Sequence, residues 1–456
     1  MQKSGILAIV LMILIGGAAA APYWFGMQAE EAYNKTMQEI TKDGQVVITR
    51  QTYERGWLDS TAEATFTLGG LPVSLTVLNK IHHGPIPVAP MMEGELDFNP
   101  VLALIKSQAS LALPMAIKAP PISGKTTIQL DGQILSHVDV AAISATDPSG
   151  GSLSWQGLSG DVTLSADLKQ TSLNLLAPLL QLSSPAQKLS VSKARITANL
   201  KQGASGLTTG SLSYAIDKVS SETDTGNLVL NGLVLATTSA EASGNLSANV
   251  DLKLQSITDG ATTYGPGVIS IKVNNLDTAT LAKYKKELNE LQAKKLPPEQ
   301  MPSVLMGKMV ALVAGLAKKT PEIDVSKISF KFKEGEITGS GKLVLDGSNA
   351  EIAENPELLL MALRGDGEVL VPQAALRALT ALDLSRKVES LKSKGKFSED
   401  ELKKLTPQKI SEISASTAPK YMQGYASKMK LVPEGDNYKM SLSLSRGQFL
   451  LNGEPL

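Results

Sequence analysis

The sequence predicts a β-rich α+β protein: an N-terminal transmembrane helix followed by an extended, mostly antiparallel and curved β-sheet with two helical insertions. Three observations predict it. The first residues form a long uncharged stretch, apolar residues alternate with period two from Gln45 onward, and that period gives way twice to a helical one, over 278–320 and 372–430.

Gly5–Phe25 (GILAIVLMILIGGAAAAPYWF) carries no charge, and as a helix it spans about 31 Å, the thickness of a bilayer's hydrocarbon core. Lys3 precedes it and Glu30–Glu31 follow. The positive-inside rule therefore puts the N-terminus in the cytoplasm and the body outside. Residues 1–26 are read as a retained signal-anchor that meets the membrane through residues 5–25, with Tyr23, Trp24 and Phe25 at the far interface. The alternative is a cleaved signal peptide, because Ala18–Ala21 supplies small residues after the apolar run Gly5–Gly17. Both readings export the body.

Residues 27–44 read as a helical stalk, with Met27, Ala32, Tyr33, Met37 and Ile40 loosely on one side. Residues 45–277 read as strands. In the clearest one Leu246, Ala248, Val250, Leu252 and Leu254 alternate with Ser247, Asn249, Asp251 and Lys253. One face must be buried, and antiparallel pairing explains it most simply. In the insertion over 278–320, Leu281, Tyr284, Leu288 and Leu291 make a helical stripe that Pro297–Pro298 ends.

The following helix, Val304–Leu316, is apolar on nearly every side: Val304, Leu305, Met306, Met309, Val310, Leu312, Val313 and Leu316 surround a single charge, Lys308. It is too short to span a bilayer. It is either a helix sunk in a sheet core or a contact for an apolar ligand or a membrane. Strands return over 321–371. The helical region 372–430 carries a capping-box spacing from Ser398 to Glu401 and the pair Thr406-Pro407 as N-cap and first helical residue. A hairpin over 431–456, turning near Arg446-Gly447, closes the chain.

Four short segments share a pattern: TTIQLDG at Thr126–Gly132, GNLVLNG at Gly226–Gly232, GKLVLDG at Gly341–Gly347 and GQFLLNG at Gly447–Gly453. Each is a strand ending in Asn-Gly or Asp-Gly, the dipeptides of type I′ turns, so four hairpin ends are expected. Their spacing of about a hundred residues leaves a duplicated β unit open.

The 44 Lys+Arg balance 44 Asp+Glu, and no basic block has the density of a nucleic-acid footprint. Without cysteine the chain has no disulfide, thiolate metal site or cysteine nucleophile. His82-His83 would point to opposite faces of a strand and lack companions for a zinc set, so they read as polar loop residues. Gly124-Lys125-Thr126 lacks the upstream glycine of a phosphate loop, and Gly339-Ser340-Gly341 lies between strands, not at a nucleophile elbow. Hence no catalytic, cofactor-binding or metal residue is assigned. Tyr53–Ser60 (YERGWLDS) reads as a bulged strand, bent at Gly56, with Trp57 filling the core.

Together with the N-terminal stretch, Tyr53–Ser60, Ile81–Pro87 (IHHGPIP), Gly435–Tyr438 and the closing GQFLLNG make the chain resemble the YdgA-like proteins of Gram-negative bacteria. That resemblance implies an inner-membrane protein with a periplasmic body and no established activity. The strand-rich, one-faced body is similar in architecture to AsmA-like and bridge-type lipid-transfer proteins. The expected function is a non-enzymatic binding or scaffold role in envelope maintenance, with a lipid or an envelope protein as partner and no nucleic acid. Two alternatives stand: an envelope hydrolase using a carboxylate pair about 5–9 Å apart, and a structural partner of a membrane complex.

Overall fold

The structure, a computed structural model, describes residues 21–38, 41, 46–68, 74–92, 94, 98–112, 119–223, 226–260, 262–293, 299–348 and 358–456. The chain divides into two units: Met1–Asp224 with Ala282–Met301, and Thr225–Leu281 with Pro302–Leu456.

The first unit starts with a helix over residues 21–38 (α1). Strands β1 (Val46–Arg55), β2 (Asp59–Leu68) and β3 (Ser74–His83) follow, then the short helix α2 (Val88–Met92) and strands β4 (Ala103–Ala112), β5 (Ile122–Ile128) and β6 (Ile134–Val140). Next come β7 (Ile143–Thr146), β8 (Ser152–Trp155), β9 (Leu158–Leu164), β10 (Gln170–Ser184), β11 (Gln187–Gln202) and β12 (Thr208–Thr223). Each of β1 to β5 pairs antiparallel with the next, β6 pairs with β9, and β9 to β12 continue in order. The β7–β8 hairpin fits beyond β9, where β8 pairs with the far half of β10.

Period-two alternation puts Ala62, Ile81, Ala103, Ile105, Ile128 and Ile134 on one face of this sheet, and α1 covers it with Ala29 and Tyr33. Those two residues lie one helical turn apart, and Met37 extends the stripe. Alanines at Ala29, Ala62 and Ala103 leave room for the helix to approach the sheet.

This packing corrects the expected transmembrane helix. Among the described residues no helix is long and apolar enough to cross a membrane. Residues 1–20 lie outside those described. The last five residues of the expected span, 21–25, begin α1, which carries Glu30, Glu31 and Lys35 and rests on the sheet. Tyr23, expected at the far interface, packs 5.3 Å from the Trp57 ring and under the Arg55 guanidinium.

The second unit opens with β13 (Gly226–Ala242), β14 (Asn245–Leu254), β15 (Ser256–Asp259), β16 (Thr262–Tyr264) and β17 (Gly267–Asp277). Helix α3 (Thr278–Ala293) starts here, its first turn capped by the Asp277 carboxylate, which accepts from the Thr280 amide at 2.8 Å. Helix α4 (Met301–Ala317) leads into β18 (Glu322–Phe332) and β19 (Gly335–Leu345). A one-turn helix, α5 (Leu359–Ala362), precedes β20 (Leu363–Pro372). Then come α6 (Gln373–Ser393), α7 (Glu399–Lys404), α8 (Pro407–Lys428), β21 (Val432–Glu434), β22 (Asn437–Ser445), β23 (Gln448–Leu451) and β24 (Glu454–Pro455).

The pairing runs β13–β14–β17–β18–β19–β20–β22–β23–β24, all antiparallel, with β15 continuing the line of β14 along β13. Helices α6 and α8 close over Val371 and Leu431 through Leu376 and Ala426. The expected caps form: Glu401 accepts from the Ser398 amide at 2.9 Å, and Thr406 Oγ1 accepts from the Lys409 amide at 3.2 Å.

The four Asn-Gly and Asp-Gly ends are not four hairpins. Only Asn452-Gly453 has both residues at positive φ (53° and 85°) and joins directly paired strands. Asp131-Gly132 also lies at a hairpin end, in the longer loop 129–133 that joins the directly paired Ile128 of β5 and Ile134 of β6, whereas Gly232 is a positive-φ break inside β13. Gly347 has its own reason: a Cβ there would meet the Ala317 carbonyl at 1.7 Å, so this glycine lets the chain pass the end of α4.

Candidate functional site

Hydrogen bonding between β2 and β3 brings the two distinctive sequence segments together: Asp59 is the register partner of His82, and Ser60 that of Ile81. Because neighbours in a strand face opposite ways, Asp59 and His82 meet on one face and Ser60 and His83 on the other. His82 Nδ1 lies 2.7 Å from Asp59 Oδ1. His83 Nδ1 lies 3.1 Å from the Trp57 carbonyl, which can only accept, so Nδ1 carries the hydrogen and Nε2 accepts from the Ser60 hydroxyl at 2.8 Å.

His82 is fully buried and His83 is 2% exposed, so the expectation of loop residues is corrected. They end a strand, and the segment after it is tied back by Gly84 N to Leu102 O and Val101 N to Pro85 O. The Tyr53–Ser60 reading is corrected as well. Residues 56–58 form a turn, closed by Gly56 N to Asp59 O at 2.9 Å, and Trp57 is 56% exposed rather than in the core.

A serine donating to a histidine is the pairing an activated nucleophile uses. Here neither group reaches solvent, and Gly26 of α1 lies against the ring. Burial, the largest influence, holds the His83 imidazole below the ordinary histidine value; the Trp57 carbonyl and Asp59 oppose that, while His82 adds to it. The junction is therefore a neutral, hydrogen-bonded clasp between α1, the β1–β2 turn and the end of β3.

An apolar surface lies on the second unit's sheet. Leu235, Leu252, Ile269 and Ile328 are successive register partners across β13, β14, β17 and β18. A second row, Val250, Ile271 and Val325, lies beside them, and a third comprises Ala248, Val273, Ile323 and Leu343. The other face is polar: Ser270 Oγ donates to Asp251 Oδ1 at 2.5 Å, and Lys342 pairs with Glu322 at 2.9 Å. Yet Leu235, Leu252 and Ile269 each stay 37% exposed. A sheet face with this aliphatic pattern is ordinarily closed over.

The expected apolar helix forms as α4, and its two halves differ. Toward its C-terminus Ala314 and Ala317 are buried, and Val313 packs on the cluster of Ala317, Leu345 and Ala362. Toward its N-terminus Leu305, Met306 and Met309 are exposed, Met306 at 66%. Val304, Lys308, Val310, Leu312 and Leu316 are half-buried. The helix is thus rooted at one end and bare at the other.

For acid–base chemistry the described residues offer little. A groove of about 510 Å³ on the outer face of β1 to β4 holds Glu54 and Glu63 with Lys80 and Lys106, and Arg50 pairs with Glu63 at 3.4 Å. The described carboxyl groups that depart from their usual values are all drawn down, such as Asp277 by Thr280 and Asp383 by Lys387. A glycosidase-type general acid needs one pushed up. No three His, Asp or Glu side chains converge as a metal site among the described residues.

Sequence reasoning found α4 and both polar segments; it missed their junction, which depends on strand register. It also missed the open aliphatic face, although the alternation of Leu246–Leu254 was its signal.

Fold and surfaces together define a two-unit, antiparallel, β-rich protein with an open apolar sheet face. The whole chain, residues 1–456, matches the family described as a bacterial protein of unknown function (DUF945), and it belongs to that family. No curated protein and no solved structure matches it.

Proposed function

We propose that the protein is a non-enzymatic lipid-binding protein of the bacterial envelope that holds the hydrocarbon part of its ligand on the aliphatic face of the second unit's sheet. The observation that carries this reading is the row Leu235, Leu252 and Ile269, aligned in register and each more than a third open to solvent. With Ile328 the row crosses four strands, an apolar floor of about 14 Å at the usual strand spacing. Each methylene removed from water there contributes about 0.8 kcal/mol, enough to hold an acyl chain without a charged anchor. The polar opposite face leaves only one side suited to such a ligand. The envelope setting and placement among YdgA-like members of the family rest on Tyr53–Ser60, Ile81–Pro87 and the closing segments in that order.

The test is organic extraction of the purified full chain followed by mass spectrometry, with a fluorescent fatty acid as a second probe. A co-purifying amphiphile and saturable probe binding are expected. A protein that carries no lipid and does not bind the probe overturns the reading.

A further inference from the structure

We infer that the N-terminal half of α4 is a docking element for an anionic bilayer surface, lying in the boundary between headgroups and acyl chains. The inference concerns a different surface from the sheet face and is independent of what that face holds. Leu305, Met306 and Met309 are exposed on a helix whose other end is fixed by the buried Ala314 and Ala317, so the apolar side chains of its first half stand open to solvent. Leu360 and Met361, 59% and 57% exposed, project from α5, whose Leu359 and Ala362 share the cluster that fixes α4. Bare apolar side chains on two elements rooted in one cluster suit insertion into a soft apolar layer.

Charge selects the kind of layer. Between Glu299 and Glu322 the sequence has no carboxylate and three lysines, Lys308, Lys318 and Lys319, and Lys294 and Lys295 precede the segment. Asp277 offsets part of this charge, since Lys318 and Lys319 help draw its carboxyl group down, but its first partner is Thr280. Asp346 is already paired with Arg364 at 2.8 Å. Lysines flanking an apolar helix extend their ammonium groups to lipid phosphates while their stems stay apolar. At 17 residues α4 is about 25 Å long and lies along the surface instead of crossing it.

Flotation of the full chain with vesicles tests this, using phosphatidylcholine alone and phosphatidylcholine with a third replaced by phosphatidylglycerol. The native protein should float with the anionic vesicles, and less at high salt. Met306→Asp with Met309→Asp should reduce recovery about tenfold, and Lys318→Gln with Lys319→Gln severalfold. The substituted methionines are exposed, so an unchanged circular dichroism melt is expected, and lipid extraction from that variant at the native level separates lost docking from a lost sheet ligand. Absence of native protein from anionic vesicles, equal recovery on both vesicle types, or full recovery of the methionine variant overturns the inference.

Discussion

Gly26 of α1 lies so close to His83 of β3 that a Cβ would sit 2.5 Å from the imidazole Cε1. The ring cannot turn away, because both its nitrogens are hydrogen-bonded. Gly26→Ala gains roughly 1 kcal/mol of helix propensity, while the overlap costs about 1–3 kcal/mol. The variant should melt below the native protein in a thermal denaturation experiment. In a His83→Ala background the same exchange should be neutral or stabilising, and a double-mutant cycle reads the coupling.

Acid should loosen the same clasp. The folded state holds His83 below its ordinary value, so the unfolded chain binds more protons between the folded value and the ordinary value of about 6.5. The stability from a neutral His83 is therefore complete above pH about 6.5 and is lost as pH falls toward the folded value, with a slope of at most about 1.4 kcal/mol per pH unit. His137 has the opposite sign, raised first by its hydrogen bond to Asp161, but it is half exposed and solvent weakens its effect. Denaturant unfolding from pH 7 to pH 5 should show stability falling in the native protein and a flatter profile in His83→Gln. Equal slopes in the two proteins would remove His83 as the cause.

On the open sheet face, Leu252→Glu changes a residue already in contact with water. It should cost within about 1 kcal/mol of stability yet abolish lipid retention. Lys253→Glu, one residue along and on the opposite face, should leave retention intact. Loss of lipid from both variants would mean that retention does not depend on the face of the sheet.

The glycines of two look-alike segments should differ in tolerance. Gly453→Ala strains a turn residue at φ 85° that has no neighbour within 4 Å of the new Cβ, and should cost about 1 kcal/mol. Gly347→Ala drives a Cβ onto the Ala317 carbonyl and should destabilise by several kcal/mol, about the range of severe overpacking. Urea midpoints compare the two directly.

Local rules made parts of this fold readable. The alternation from Leu246 to Leu254 is one strand, and Ser398, Glu401, Thr406 and Pro407 cap their helices because capping is decided within four residues. What was hidden depends on partners far along the chain. The same Asn-Gly or Asp-Gly ending makes a turn at Gly453, a strand break at Gly232 and a close passage at Gly347, according to what lies opposite. His82 and His83 look like loop residues until register sets Asp59 and Ser60 beside them. The apolar N-terminal stretch matched a membrane span by composition, whereas α1, which begins at residue 21, packs on the sheet through Ala29 and Tyr33.

The order of strand pairing also bears on how the chain reaches its native state. From β1 to β6, and again from β17 to β20, every strand's hydrogen-bonded neighbour is the next strand in sequence. Hairpins that close short loops come together quickly and lose little chain entropy, so the sheet has a lower contact order than a Greek-key arrangement of equal size. Within these two runs each strand leaving the ribosome meets an edge already formed by its predecessor, and assembly there can advance in the direction of synthesis, one strand at a time.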